Sequence, residues 1–205
     1  MIHTILFFFA LLSSYTSYAD DLCVANLLLP NTPSGYPCKS ETNVTVNDFV
    51  FSGLVPGSTI NPFNFAITAA FVNSLPGLNG LGISAARADF GINGSVPVHT
   101  HDATELLIVV EGQITAGFIT RTKVYSKTVK PGDVIVFPKG LLHFVVNSGV
   151  GKAVAFVAFS SSNPSTQILD TLLFGNNLST SIIAETTLLD VSQILKLKTQ
   201  FNGTG

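Results

Sequence analysis

Three histidines and one glutamate carry the chemistry of this chain. Of four histidines, His3 lies in an N-terminal apolar segment, and His99, His101 and His143 fall in two short stretches, GSVPVHTHDATELLIVVEG and GDVIVFPKGLLHFVVN. In an extended strand, residues i and i+2 face the same side, so His99 and His101 can aim both imidazoles into one interior, about 6–7 Å apart along the backbone. Glu105 cannot join them on a straight strand, because four more residues add about 13 Å. Asp102-Ala103-Thr104 must therefore turn, so that Glu105 returns on the next strand. His143 follows Pro138-Lys139-Gly140, a tight turn that can set another strand beside the first pair. Three imidazoles and a carboxylate gathered in an apolar interior require a cation, since a lone buried carboxylate would have to stay protonated or find another partner. By ligand type the ion could be Mn, Fe, Ni or Zn. Four ligands with room for two more suit octahedral Mn(II) or Fe(II) better than a closed structural Zn site.

The elements around these residues read as strands. Segments 43–50, 63–71, 81–90, 106–110, 114–120, 123–129, 134–137, 144–146 and 153–159 are short runs rich in Val, Ile and Phe, several of them alternating. Glu111-Gly112, Lys130-Pro131-Gly132-Asp133, Pro138-Lys139-Gly140 and Asn147-Ser148-Gly149 punctuate them. Short strands at close spacing predict an all-β barrel or sandwich. The C-terminus changes period. A helical turn begins near 181–185, and Asp190 with Gln193 fits a capping box ahead of Val191, Ile194 and Leu195 at helical spacing. Lys196 and Lys198 fall where a helix end favours cations. The spacing predicts two short helices closing the chain.

The 205 residues suit one domain. Hydrophobic residues make up 46% and charged ones 11%, which excludes a disordered chain. Net charge is −2, with no basic run fit to neutralise a phosphate backbone, so nucleic acid is not an expected partner. Residues 5–12, ILFFFALL, followed by Ser17-Tyr18-Ala19, read as a secretory signal peptide over 1–19. Eight apolar residues are too few to span about 30 Å of hydrocarbon, and no later segment is a membrane-span candidate. Cys23 and Cys38 are the only cysteines, and in an oxidising compartment they can form one intrachain bridge around a Pro-rich irregular loop. Sequons begin at Asn43, Asn93, Asn177 and Asn202. The first three are candidate glycan sites, Asn43 foremost, whereas Asn202 is too near the end.

Both histidine stretches match the two cupin motifs. Gly94, His99, His101, Glu105 and Gly112 fill the first, and Gly132, Pro138, Gly140, His143 and Asn147 the second. The VTVNDFVFSGL, NGLGIS, FPKGLLHF and SSNPSTQILDTLLFG segments extend the match, and essentially the whole mature chain resembles plant germin-like proteins, closest in look to the auxin-binding-protein-like branch. The resemblance implies a cupin (jelly-roll) β-barrel with short C-terminal α-helices. Its expected parts are a disulfide loop over 20–42, a barrel over 43–175 and helices over 176–205. The resemblance also implies Mn(II) on His99, His101, Glu105 and His143, secretion to the apoplast and cell wall, and non-covalent dimers of barrels assembling to a hexamer. Three residues separate His101 from Glu105, where many germins have four.

Oxalate-oxidising germins place asparagines three and thirteen residues before the first ligand histidine. Here these positions are Val96 and Ala86, which disfavours oxalate oxidase because each lost bond to a charged substrate costs about 1.5–3 kcal/mol. The remaining expectations are a manganese-binding wall or defence protein that takes wall components or a small anion, or a manganese superoxide dismutase. An apolar stripe at a chain end more often packs on its own domain, but the 46% apolar content and the germin resemblance together predict a homo-oligomer with this helix, Ile194 included, in an interface.

Overall fold

The computed structural model describes residues 22–205; the expected leader over 1–19 lies outside the described residues. Among the described residues, ten strands form two five-stranded antiparallel sheets. One has the order β1 (Phe65–Ala70), β2 (Ser84–Phe90), β9 (Ala153–Phe159), β4 (Glu105–Glu111), β7 (Val134–Phe137). The other runs β10 (Thr166–Ile168), β3 (Ser95–His101), β8 (His143–Asn147), β5 (Ile114–Ile119), β6 (Val124–Val129). This is the expected all-β cupin barrel. Strand alternation sets its inside: on β4, Glu105, Leu107 and Val109 are buried, while Leu106, Ile108 and Val110 are exposed. Phe90, Ile114, Phe137, Val145 and Phe159 join them in one core between the sheets.

Residues 43–50 are not a strand. The 3-10 turn Glu41–Asn43 ends at their first residue, and they contain a second, Val46–Phe49. The Val44/Val46 alternation suggested pairing, but Asp48 turns the chain locally: its carboxylate accepts the Thr45 N–H at 2.8 Å in a capping box, and Lys39 pairs with it at 2.8 Å. β10 was not legible in the sequence, being three mostly polar residues paired only to β3.

Farther on, segment 50–60 runs without regular structure along β1 and β2, where Asp89 accepts the Gly57 N–H at 3.0 Å and a forked pair from Arg87. Burial pushes the Asp89 carboxyl up, but these bonds outweigh it and leave its pKa below the usual value. A carboxyl depressed in the folded state stabilises above its unfolded pKa and loses that contribution as pH falls through the folded one. Asp89→Ala should cost about 1–3 kcal/mol near neutrality, and urea melts of the two proteins should converge as pH drops below the carboxylate range. A gap that persists at pH 2 would contradict this.

Cys23 and Cys38 are bonded within the chain. Their irregular loop docks through Asn79, whose side chain accepts from the Tyr36 N–H and donates to its carbonyl. Peptide mapping without reductant should recover the linked pair, and Cys38→Ser should lose about 3 kcal/mol, as closing a loop of this length implies. A variant melting like wild type would refute that.

The chain closes with three helices rather than two: α1 (Leu169–Phe174), α2 (Thr180–Thr187) and α3 (Val191–Phe201). α1 falls inside the stretch assigned to the barrel from sequence. Asp190 is the N-cap of α3, but its side chain makes no cap bond; the capping box lies instead at Thr45 and Asp48. Lys198 is buried, its Nζ donating to the carbonyls of Leu178 and Thr204 at 2.6 and 2.9 Å, so it clamps the chain end instead of facing solvent at the helix terminus. Ile194 is also buried within its own chain, at the centre of a small core with Phe174 and Ile183. It is therefore unavailable to an interface. Three short helices too small to bury much alone share their apolar faces with one another.

Candidate metal centre

The four expected ligands arrive from three strands. His99 and His101 end β3, Glu105 opens β4 on the opposite sheet, and His143 opens β8 beside β3, with His143 in register with His99. The turn at Asp102–Thr104 that the spacing demanded carries the chain from one sheet to the other. Gly140 sits at φ +78°, a left-handed conformation that favours glycine, and its N–H donates to the His101 carbonyl at 3.0 Å. That bond ties the turn before His143 to the end of β3. Asn147, the last residue of the second motif, is structural: its buried amide donates to the carbonyls of Gly91 and Gly151, both at 2.7 Å.

Ligand atoms of the four residues all lie within 4.8 Å of one another, and all four residues are buried. Each imidazole is held from behind. The Nδ1–H of His99 donates to the Pro97 carbonyl at 2.8 Å, that of His101 to Ser165 at 2.8 Å, and that of His143 to Leu141 at 2.9 Å. Carbonyls only accept, so all three Nδ1 atoms carry protons and all three Nε2 atoms present bare lone pairs inward. Phe137 stacks on His143 with centroids 4.5 Å apart and fixes the ring plane.

These lone pairs face a carboxylate. Glu105 Oε2 lies 3.1 Å from His101 Nε2 and 3.3 Å from His143 Nε2. Neither Glu105 Oε2 nor His143 Nε2 has a hydrogen-bond donor. Acceptors packed this closely in a buried site repel unless a cation stands among them. The residues therefore fit a metal ion. Burial, then the neighbouring His143, pushes His99 down to about 4, so it is a neutral ligand at ordinary pH. Burial is also the largest influence on Glu105 and pushes it up, yet the contacts with His101 and His143 outweigh it and hold the carboxyl at about 2. For His101, burial pushes down but Glu105 outweighs it, leaving the pKa raised.

The cluster opens onto a cavity of about 130 Å³ lined by Phe65, Phe71, Phe90, Val96, Leu107 and Phe159 among others. Thr166 is the one polar lining side chain outside the ligand set; its hydroxyl lies 3.2 Å from His101 Nδ1. Val96 thus stands in the cavity, where an amide would have faced a ligand. Ala86 does not line it and packs in the barrel core, so only one of the two expected substitutions acts on the cavity wall directly. Thr166 is not legible in the sequence, since a lone threonine in a polar run carries no signal. The sequon residues Asn43, Asn93 and Asn177 are all exposed.

Among the described residues no helix is long and apolar enough to cross a membrane. The Cupin family model matches residues 51–195. Auxin-binding protein ABP19b of Prunus persica is 54% identical over the full length of both chains. Germin-like protein subfamily 3 member 1 of Arabidopsis thaliana is 49% identical, again over the full length of both. A solved structure of oxalate oxidase superposes with a TM-score of 0.84 at 33% identity, over 88% of this chain and 94% of that one. With the buried three-histidine, one-glutamate cluster on a ten-stranded barrel, these likenesses show that the chain belongs to the cupin family, as a germin-like protein.

Proposed function

We propose that this chain is a secreted manganese-binding protein of the apoplast and cell wall that holds a small apolar carboxylate and does not oxidise oxalate. The observation that carries the metal is the donorless contact of Glu105 Oε2 with the bare Nε2 of His143. A Mn(II) ion there would supply a redox-capable Lewis acid with positions left for an exogenous ligand; Fe, Ni and Zn are the alternatives. The ligand class follows from the wall. Oxalate is a dianion that needs hydrogen bonds at both ends, and Val96 and the phenylalanines offer none. The same walls favour an aromatic or aliphatic body. Auxins are aromatic carboxylates, and relatives at 52–54% identity carry the name auxin-binding protein. Titration calorimetry of the manganese-loaded protein should detect 1-naphthylacetate and not oxalate, and Val96→Asn should shift the preference toward oxalate. Oxalate turnover by the unaltered chain would overturn the reading.

Superoxide disproportionation is the second reading. It is favoured because so small a substrate needs no polar wall, only access to the centre. Activity that appears with manganese and vanishes in His99→Ala would establish it.

Assembly belongs to the same proposal. With Ile194 buried, the surface suited to a second copy is the outer face of the β4–β7 sheet. There Leu106 pairs with Val136 and Ile108 with Val134, all four exposed. Such a contiguous aliphatic patch marks an interface. We expect a homo-oligomer, up to a hexamer, and Ile108→Lys should shift light-scattering mass to smaller species while metal content stays unchanged. A monomeric wild type at micromolar concentration would refute it.

A further inference from the structure

Positive charge is segregated in this chain. Residues 121–139 hold Arg121, Lys123, Lys127, Lys130 and Lys139 against Asp133 alone, a net +4; the rest of the chain has five basic and eleven acidic residues, a net −6. The structure gives this charge a shape. β6 is the edge strand of its sheet, hydrogen-bonded only to β5. Tyr125 and Lys127 share one face of it, and Lys123 immediately precedes its first residue. They line a shallow groove of about 330 Å³ with Phe118 and Ile135. The Tyr125 ring stacks on Phe118, centroids 5.2 Å apart and planes 21° apart, and Lys123 Nζ lies 4.7 Å over the Tyr125 ring. The Ile119 N–H donates to the Leu142 carbonyl at 2.8 Å, which sets the hairpin bearing Arg121 beside the 138–142 turn bearing Lys139.

We infer that this groove binds a linear acidic polysaccharide, a chain of uronate sugars. Lysines on an edge strand also discourage strand pairing with other molecules. That role accounts for the lysines alone, and not for an exposed tyrosine held flat between them or for half of all basic residues gathered within 19 positions. Lys123 and Lys127 are about 13 Å apart along the strand, too far for one small anion to meet both. Carboxylates repeated along a polymer can meet both, and the apolar face of a sugar ring can pack against the exposed edge of the Phe118–Tyr125 stack. The groove itself offers ammonium groups rather than the guanidinium forks that suit phosphate, so a uronate fits better than a nucleic acid.

The test uses the full mature protein and three polymers: de-esterified oligogalacturonate, its methyl-esterified counterpart and duplex DNA. Affinity electrophoresis at low ionic strength should show retardation by the acidic oligomer, loss of it in 0.5 M salt through screening, and none with the ester. Lys123→Gln/Lys127→Gln should weaken binding about tenfold or more, and Tyr125→Ala should weaken it severalfold. Lys123→Arg/Lys127→Arg and the distant Lys196→Gln should bind as wild type. No retardation of wild type, equal retardation by the ester, stronger retardation by DNA, or a double Gln variant that binds undiminished would each overturn the inference. Metal content measured on the same samples separates this failure from a failure of the manganese reading, because no groove residue touches the cluster.

Discussion

His101→Ala protein produced with manganese in the medium should contain almost no metal. The substitution removes one of four ligands and leaves Glu105 facing a hole. Altering a residue that only holds a ligand in place costs about 10–100-fold in affinity, so loss of a ligand itself should cost at least about 100-fold. Glu105→Gln gives a sharper version of the same experiment. Its amide can donate to the bare Nε2 of His101 or His143, which now face an acceptor at 3.1 and 3.3 Å. That variant should therefore also lose the metal, because an amide is a far weaker ligand than a carboxylate. For wild type, ligand linkage predicts about 2.7 kcal/mol of added stability at a free-metal concentration 100 times Kd, removable by chelator. Elemental analysis and melts with and without EDTA read both quantities. Full occupancy in either variant would remove the ligand assignment.

Ile194→Asp should damage the C-terminal helices severely. Ile194 is fully buried among Phe174 and Ile183, so the change loses the packing of a large aliphatic side chain and buries a carboxylate without a partner. The first loss alone is about 2–5 kcal/mol, and the second adds to it. The expected readouts are a fall in helical circular dichroism and rapid proteolysis after residue 168. Leu195→Asp, one position along on the half-exposed side of α3, should stay within about 0.5 kcal/mol of wild type. The pair separates folding from assembly: a change in solution mass with Leu195→Asp but unaltered melting would place α3 at an interface through its outer face. An Ile194→Asp protein melting like wild type would contradict the burial.

The chemistry of this chain was legible in its sequence because strand geometry is periodic and local. Two histidines at i, i+2 must share a face, three residues are enough to turn a strand back, and a Pro-x-Gly turn can deliver a third histidine. Those constraints hold wherever the strands lie, so the four ligands and the all-β class followed from spacing. The Cys23–Cys38 bridge was legible for another reason: two cysteines allow only one intrachain pairing. What depended on contacts distant in sequence was out of reach. The tautomer of each histidine is set by the carbonyl behind it, and for His101 that carbonyl belongs to Ser165, 64 residues away. Thr166 reaches the cavity only because β10 pairs with β3. Whether Ile194 faces its own chain or another could not be read from an apolar stripe, since the stripe looks the same in either case. Tertiary packing decided it, by setting Phe174 and Ile183 against that side chain. Segment 43–50 went the other way for the same reason: alternation permits a strand, but a strand needs a neighbour to pair with, and there the Asp48 carboxylate bound the chain's own Thr45 N–H instead.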